Sequence, residues 1–335
     1  RWVDIGRVGA PTPRKLGKDL WRYFYLRSDK GKNQPDLVYR DRLDGRDRVL
    51  VDVNHRASYG TVAIDWFYPS LDGRRVAFGI SKNGDEDSTL NVLEIGKDGT
   101  LQVLGDSIER TKHCSLAWLP NSSGFYYTRH PKLGEVPDAE LRYHRRVFFH
   151  PLGKDPEQDE KVFEDARDMT FAPGIEVSPD GRYLLIQVFQ GWAKSELYLR
   201  DLRNSKGLPI PVAVGKNANF DATFAQGRLV VLTDDGAARG RVFQVDPAHP
   251  DQNSWREIIK EGPDTLSSID YVAGQLVGTY LHDASTRLMR FSRDGEPRGE
   301  IPLPTLGSAF VRGDREANEI FVHFSSFAAP QDILR

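Results

Sequence analysis

The sequence is built from a repeated unit in which short apolar strands are joined by polar turns that end in glycine. The turn glycines Gly73, Gly124, Gly181, Gly227 and Gly274 are 51, 57, 46 and 47 residues apart. Blades of four-stranded propellers repeat every ~40–50 residues. Dividing the 335 residues by a repeat of about 48 gives seven units. The spacing therefore predicts an all-β chain folded as a seven-bladed β-propeller of four-stranded antiparallel blades.

The clearest copy places predicted strands at Ile64–Tyr68 and Val76–Ile80 on either side of a turn containing Asp72-Gly73. An Asp-Gly pair favours a tight hairpin because its glycine readily adopts a positive φ. No amphipathic helix of useful length separates the copies, which argues against alternating βα units. A large β-sandwich is the alternative, but it does not require one unit at near-constant spacing. Further strands are predicted at 22–27, 89–95, 115–119, 125–128, 175–177, 183–188, 228–233, 275–280 and 319–324.

The repeats divide the chain into seven approximate segments within a single propeller domain, residues 1–335. The last copy has only three predicted strands, so we expect a ring that is not closed by a shared blade. The ends of the chain look like those of a domain taken from a longer protein. The predicted repeats are 1–58, 59–108, 109–166, 167–215, 216–262, 263–304 and 305–335.

The composition is that of a globular protein, with 39% hydrophobic residues, 28% charged residues and a net charge of -2. This balance argues against a disordered tail and against a nucleic-acid partner. No stretch approaches the ~20 apolar residues of a membrane span, and residues 1–10 lack the apolar core of a secretory signal. Cys114 is the only cysteine, which excludes an intramolecular disulfide and a cysteine-based zinc site. We therefore expect a soluble, cytoplasmic protein without a membrane partner.

The sequence contains no complete catalytic motif. The Gly-x-Ser-x-Gly pattern that exposes a nucleophilic serine is absent. His113, His130, His144 and His150 lie in or near the third copy, but their spacing does not suit a metal, and we interpret them as isolated surface or turn histidines. The acidic run 83–88 is interpreted as a solvated turn rather than a calcium loop. We predict no cofactor, no metal and no catalytic residue.

Two segments are candidates for binding. The loop Phe189–Ser195 carries Trp192 after an apolar strand, so it is either a binding loop or a turn whose tryptophan caps its own blade. Periodicity favours the capping interpretation. The charged segment 129–146 is long for a hairpin, which indicates either a functional or a mobile loop.

Several segments, in the same order along nearly the whole chain, resemble the propeller of the prolyl oligopeptidase family of serine peptidases. Individually they are weak, but together they are specific. They are Trp66–Gly73, Ala117–Pro120, Gly124–Arg129, Arg146–Gly153, Gln190–Trp192, Leu232–Ala237, Tyr280–Ser285 and Phe324–Phe327.

The resemblance implies a propeller that covers an α/β-hydrolase domain of the same protein, with the catalytic serine, aspartate and histidine in that other domain. The chain itself would be a non-catalytic gate that filters short proline-containing peptides. By position, the resemblance implies substrate contacts at Tyr126 and Arg129 in one segment and at Gly191 and Trp192 in another. The sequence departs from better-known members at both places.

Two alternatives remain. A stand-alone interaction scaffold of the kelch or WD kind would bind a protein partner through its loops, but the Gly-His and Trp-Asp blade signature is not visible. A propeller enzyme with chemistry in its own channel would need convergent carboxylates or histidines on the inner strands. We interpret those strands as mostly apolar.

Overall fold

The computed structural model describes residues 6–55, 61–204, 206–327 and 331–335. Residues 1–5 and the predicted repeat boundary at 58/59 lie outside the described residues. The described chain forms 28 strands in seven sheets, and its contacts divide into a first unit, Arg1–Ile175, and a second unit, Glu176–Arg335. Within these ranges helix is limited to single 3-10 turns at Asp138–Glu140, Pro156–Gln158 and Gln252–Ser254.

The first unit contains three complete sheets. In each of them, strands that follow one another in the chain lie side by side, except that β1 pairs with β3 rather than with β2. The strands are β1 (Arg7–Val8), β2 (Thr12–Lys15), β3 (Trp21–Ser28), β4 (Asp36–Asp41) and β5 (Arg48–Val51) in the first sheet; β6 (Val62–Pro69), β7 (Arg75–Lys82), β8 (Thr89–Ile95) and β9 (Leu101–Ile108) in the second; and β10 (Leu116–Trp118), β11 (Gly124–Arg129), β12 (Arg146–Pro151) and β13 (Glu160–Phe163) in the third.

The fourth sheet begins with a strand that contains the division between the units, and three further sheets follow it. The strands are β14 (Ala172–Val177), β15 (Tyr183–Phe189), β16 (Ser195–Asp201) and β17 (Ile210–Ala213) in the fourth sheet; β18 (Phe220–Ala225), β19 (Arg228–Thr233), β20 (Arg241–Val245) and β21 (Arg256–Ile259) in the fifth; β22 (Thr265–Val272), β23 (Gln275–His282), β24 (Ser285–Phe291) and β25 (Pro297–Ile301) in the sixth; and β26 (Ser308–Arg312), β27 (Phe321–Ser325) and β28 (Asp332–Leu334) in the seventh.

Seven successive antiparallel sheets of this kind are the blades of a seven-bladed β-propeller, which confirms the predicted fold class. Five of the sheets have four strands, and the last has three, as the sequence predicts. Among the described residues, no sheet combines strands from the two ends of the chain. This agrees with the prediction that no shared blade closes the ring.

The hairpin turns follow the predicted chemistry with one exception. Gly73, Gly227 and Gly274 have φ values of 64°, 78° and 70°, which residues other than glycine adopt only at a cost. Gly124 is instead the first residue of β11, and Ser122 has the positive φ of that turn, 54°. A Cβ at Gly124 would lie 2.5 Å from the carbonyl oxygen of His150. Close packing between strands, rather than turn geometry, therefore requires the glycine at 124.

Apolar residues on both faces of the strands pack between neighbouring sheets. In the first unit, Phe24 and Tyr39 of the first sheet share a core with Phe78 of the second. In the second unit, Leu197 of the fourth sheet packs with Phe224 of the fifth. Since every strand is fixed by its ladder and by these cores, the loops at the strand ends are held on a rigid frame.

Candidate functional site

Two of the predicted site residues, Tyr126 and Arg129, lie on β11 in the first unit. Tyr126 is buried, and its ring packs against Phe149 on β12 with the ring centroids 4.8 Å apart. Position 126 pairs with Ala117 on β10 and with Phe149. The strand ladder therefore fixes the orientation of the tyrosine from both sides.

Arg129 is only 4% exposed, and neighbouring groups of the first unit hold its guanidinium. It donates hydrogen bonds to the hydroxyl of Tyr127 at 3.1 Å, to the carbonyl of Pro156 at 3.1 Å and to the carboxylate of Glu157 at 2.7 Å. Its charge also faces the ring of Phe148, 5.6 Å from the centroid. These contacts position Arg129 firmly, and its contact with substrate stays a prediction.

His150 shows that the interpretation of the histidines as surface or turn residues was wrong for this position. Its ring is fully buried between two carboxylates, with Nε2 2.9 Å from Asp106 and Nδ1 2.8 Å from Asp159. The hydroxyl of Tyr127 donates to Asp159 at 2.7 Å. Burial opposes the charged imidazole, but the hydrogen bonds to Asp159 and then Asp106 outweigh it and raise the pKa of His150. This network joins β9 of the second sheet to β12 of the third.

The predicted loop between β11 and β12 forms one wall of a cleft of about 520 Å3, here called the basic cleft. Its lining includes four basic side chains and two acidic ones. The lining residues are Asp87, Arg110, Lys112, His130, Pro131, Leu133, Asp138, Ala139, Leu141 and Arg142.

His130, which lines the basic cleft, is also buried rather than on the surface. Its Nδ1 lies 3.3 Å from the carbonyl oxygen of Tyr143, and its Nε2 is buried without a partner among the residues described. Burial, and then the charges of Arg145 and Arg110, lower the pKa of His130 to about 4. The imidazole is therefore neutral near pH 7, and the cations around it favour this neutral form.

The other two predicted site residues, Gly191 and Trp192, lie in the turn between β15 and β16 of the fourth sheet. The amide of Gln190 donates to the carbonyl of Lys194 at 2.9 Å, and Gly191 has a φ of 72°. Trp192 is 102% exposed, so the interpretation that it caps its own blade is wrong. The hydrogen bond closes the turn at its base, which leaves residues 191–193 outside the ladder.

Phe189, at the start of the same turn, lines a second cleft of about 380 Å3 in the second unit. Asp221 also lines it, and burial, followed by the charge of Asp270, raises the pKa of Asp221 to about 6. Glu176 contributes to the same shift. The lining residues are Gln187, Phe189, Ser195, Asn219, Phe220, Asp221, Leu232, Thr233, Asp234, Ala238, Arg239, Gly240, Thr265, Leu266 and Ser267.

Glu176, Asp221 and Asp270 lie on the first strands of three successive sheets, so each of these otherwise largely apolar strands carries one acid that the sequence analysis did not single out. Each acid follows an apolar residue on its strand, and the three are 45 and 49 residues apart. Alignment of the repeats would therefore have revealed them. Glu176 is paired with Arg315.

In residues 6–55, 61–204, 206–327 and 331–335, no group of three or more His, Cys, Asp or Glu side chains is arranged to hold a metal ion. The helices in this part of the chain are all too short to cross a membrane.

Comparison with known proteins gives one consistent result. The family model described as "Prolyl oligopeptidase, N-terminal beta-propeller domain" matches residues 10–335. A prolyl endopeptidase of Elizabethkingia meningoseptica is 26% identical over 328 residues, covering 97% of this chain and 45% of that protein. Prolyl oligopeptidase A of Galerina marginata is 26% identical over 351 residues, covering 94% of this chain and 46% of that protein. The chain thus spans just under half the length of these relatives.

Solved structures agree with this result. A structure from a study of two prolyl endopeptidases and their inter-domain dynamics superposes with a TM-score of 0.90 at 31% identity, covering 98% of this chain and 48% of that one. Prolyl oligopeptidase B from Galerina marginata superposes with a TM-score of 0.82 at 21% identity, with the same coverage. Because its identity is low, the match to prolyl oligopeptidase B supports the fold only.

Proposed function

The chain belongs to the prolyl oligopeptidase N-terminal β-propeller family, and from this we propose that it is the non-catalytic gating and substrate-filtering domain of a serine endopeptidase that cleaves short peptides after proline. The observation that carries the proposal is the family match over residues 10–335, combined with relatives of about twice this length. In this proposal the remaining part of the protein is an α/β-hydrolase domain and the direct partner of the propeller.

The proposed mechanism divides the work between the two domains. The hydrolase domain would form and hydrolyse an acyl-enzyme through its serine, histidine and aspartate. The propeller would restrict access to short, unfolded peptides, because rigid blades cannot open to admit a folded protein. Its buried interlocking cores support this role, and so does Trp192, whose exposed ring is a ready surface for a peptide or for the partner domain.

We also propose that the protein is cytoplasmic. Cys114 is the only cysteine of the chain, and burial raises the pKa of its thiol to about 12, so it stays protonated. A reduced, unpaired cysteine is usual for proteins of that compartment.

Sequencing the reading frame on both sides of this segment tests the proposal directly. We expect it to continue past Arg335 into a strand, a Gly-x-Ser-x-Gly turn and a helix, followed by an aspartate and a histidine. A stop codon directly after Arg335 would contradict the proposal and favour a stand-alone binding propeller.

Replacing Trp192 with alanine in the intact protein should raise KM for proline-containing peptides about fivefold, the equivalent of roughly 1 kcal/mol of aromatic contact. The value of kcat should change little, because the chemistry lies in the other domain. Steady-state kinetics measure both. Trp192 is fully exposed, so the substitution removes no packing within the chain.

Leu208→Ala is the matched control, since Leu208 is 82% exposed and lies at the opposite end of the fourth sheet. It should leave KM unchanged. Tyr126→Phe tests the other predicted contact, because it removes the hydroxyl and retains the packing against Phe149. If neither Trp192→Ala nor Tyr126→Phe alters KM, the assigned substrate contacts are wrong.

A further inference from the structure

The basic cleft of the first unit contains more positive than negative charge. Arg110, Lys112 and Arg142 line it together with His130, against two aspartates. Glu157 contacts Arg110 at 3.4 Å, but the same carboxylate also pairs with Arg129 at 2.7 Å. Glu157 also forms a salt bridge with a third cation, Lys132. Lys112 pairs with Glu86 at 3.1 Å. Two carboxylates, Glu86 and Glu157, therefore serve four cations beside the cleft, which leaves the cleft electropositive.

His130 provides independent evidence for a ligand. It is 6% exposed and lines the cleft, and its Nε2 lacks a partner within the described chain. The contact between Nδ1 and the carbonyl of Tyr143 requires the proton to lie on Nδ1. A buried polar atom without a partner costs free energy, which a ligand that pairs with it would recover.

Arg145 adds to the excess of positive charge at the basic cleft. Its Nε is buried without a partner among the described residues, and its charge acts on His130 together with that of Arg110. An anion in the cleft would offset this repulsion. His130 could then take up a proton and donate hydrogen bonds from both ring nitrogens.

Three apolar side chains, Pro131, Leu133 and Leu141, also line the cleft, and Leu133 is 76% exposed. A cleft of this volume with apolar lining residues and convergent polar groups has the character of a small-ligand site. The ligand that fits is an anionic group attached to an apolar neighbour, which describes a carboxylate carried by a peptide.

We propose that the basic cleft binds a carboxylate of the peptide substrate, with the apolar lining residues Leu133 and Leu141 contacting the residue beside it. This inference rests on the proposed function, because it assigns part of the substrate to a place on the propeller. The carboxylate comes either from the C-terminus of the peptide or from an acidic side chain, and both would bind the same groups.

The experiment measures kcat/KM of the intact protein for three peptides of one sequence: one with a free C-terminal carboxylate, one with a C-terminal amide, and one amide with glutamate at the last position. The variant Lys112→Gln/Arg142→Gln removes two cations from the cleft without touching its buried residues. The matched control Arg74→Gln/Lys97→Gln removes two exposed cations that do not line the cleft.

The cleft variant should lose about fivefold in kcat/KM for the free-acid peptide, as expected for two partly exposed charge contacts. The kcat/KM of the cleft variant for the plain amide should change by less than about twofold. The control variant should have the wild-type kcat/KM for all three peptides. A loss confined to the free acid identifies the C-terminus as the ligand. A loss shared by the glutamate peptide identifies carboxylates in general.

Equal responses of acid and amide peptides to the cleft variant would overturn this inference and leave the proposed function standing. If the wild-type protein cleaves none of the peptides, the proposed function fails and the inference falls with it. The ring signals of His130 in NMR spectra give a readout independent of cleavage. The free-acid peptide should shift them and the amide should not, and identical shifts would contradict the proposed site.

Discussion

Replacing Asp106 with alanine should lower the free energy of unfolding by about 3–5 kcal/mol, the usual cost of removing one partner from a buried ion pair. His150 is fully buried, and Asp106 is its partner at 2.9 Å. Asp106 also accepts a hydrogen bond from the amide of Gly153 at 2.5 Å. The substitution therefore leaves the buried Nε2 of His150 and the amide of Gly153 without this acceptor. Urea unfolding followed by tryptophan fluorescence measures the change.

The effect of Asp106→Ala should depend on pH. The hydrogen bonds to Asp159 and Asp106 raise the pKa of His150 against the opposing effect of burial. A raised pKa in the folded protein gives stability that is fully present below about pH 6.5 and is lost as the pH rises through the folded-state pKa. The difference between wild type and variant should therefore be larger at about pH 6 than at about pH 9.

Asp44→Ala is the control for this prediction, because Asp44 pairs with Arg42 at the surface, where both side chains are exposed. It should cost less than about 1 kcal/mol. An Asp106→Ala cost as small as that of the control would show that the network of His150 does not stabilise the fold. A large cost that does not change with pH would show that the raised pKa of His150 does not contribute to it.

The same network shows where sequence reasoning is limited. Turn spacing predicted the fold class, because glycine and aspartate act locally at each hairpin. The strands Thr89–Ile95 and Arg228–Thr233 have the predicted bounds. His150 was wrongly interpreted because its two partners lie 44 residues before it and 9 residues after it. Only the packing of two sheets brings the three side chains together.

The candidate site, too, was only partly predictable from the sequence. The family resemblance directed attention to Trp192, but periodicity favoured a capping role that its full exposure excludes. Exposure of a turn residue depends on how the turn closes, which the residue types do not specify. The sequence also did not reveal that Nε2 of His130 is buried without a partner among the described residues, since the burial of a polar atom depends on residues distant in the chain. By contrast, the acids on the first strands of the repeats were visible in the sequence.

Phe125→Ala should lower the free energy of unfolding by about 3–5 kcal/mol, because it leaves a cavity that its neighbours cannot fill. Phe125 is fully buried on β11, and its ring lies 5.0 Å from that of Trp118, 5.7 Å from that of Tyr127 and 5.2 Å from that of His150. The strand ladder pairs Phe125 with both Trp118 and His150, so these residues cannot move inward without breaking it.

Two further variants make this prediction specific. Phe125→Leu keeps most of the volume and should cost less than half as much, about 1–1.5 kcal/mol. Leu101→Ala removes an exposed side chain from β9 and should change stability by about 0.5 kcal/mol or less. Chemical denaturation of the three variants under one condition ranks them. If Phe125→Ala costs no more than Leu101→Ala, the third sheet collapses around the lost ring, and the rigidity proposed for the gate is absent where Tyr126 and Arg129 are held.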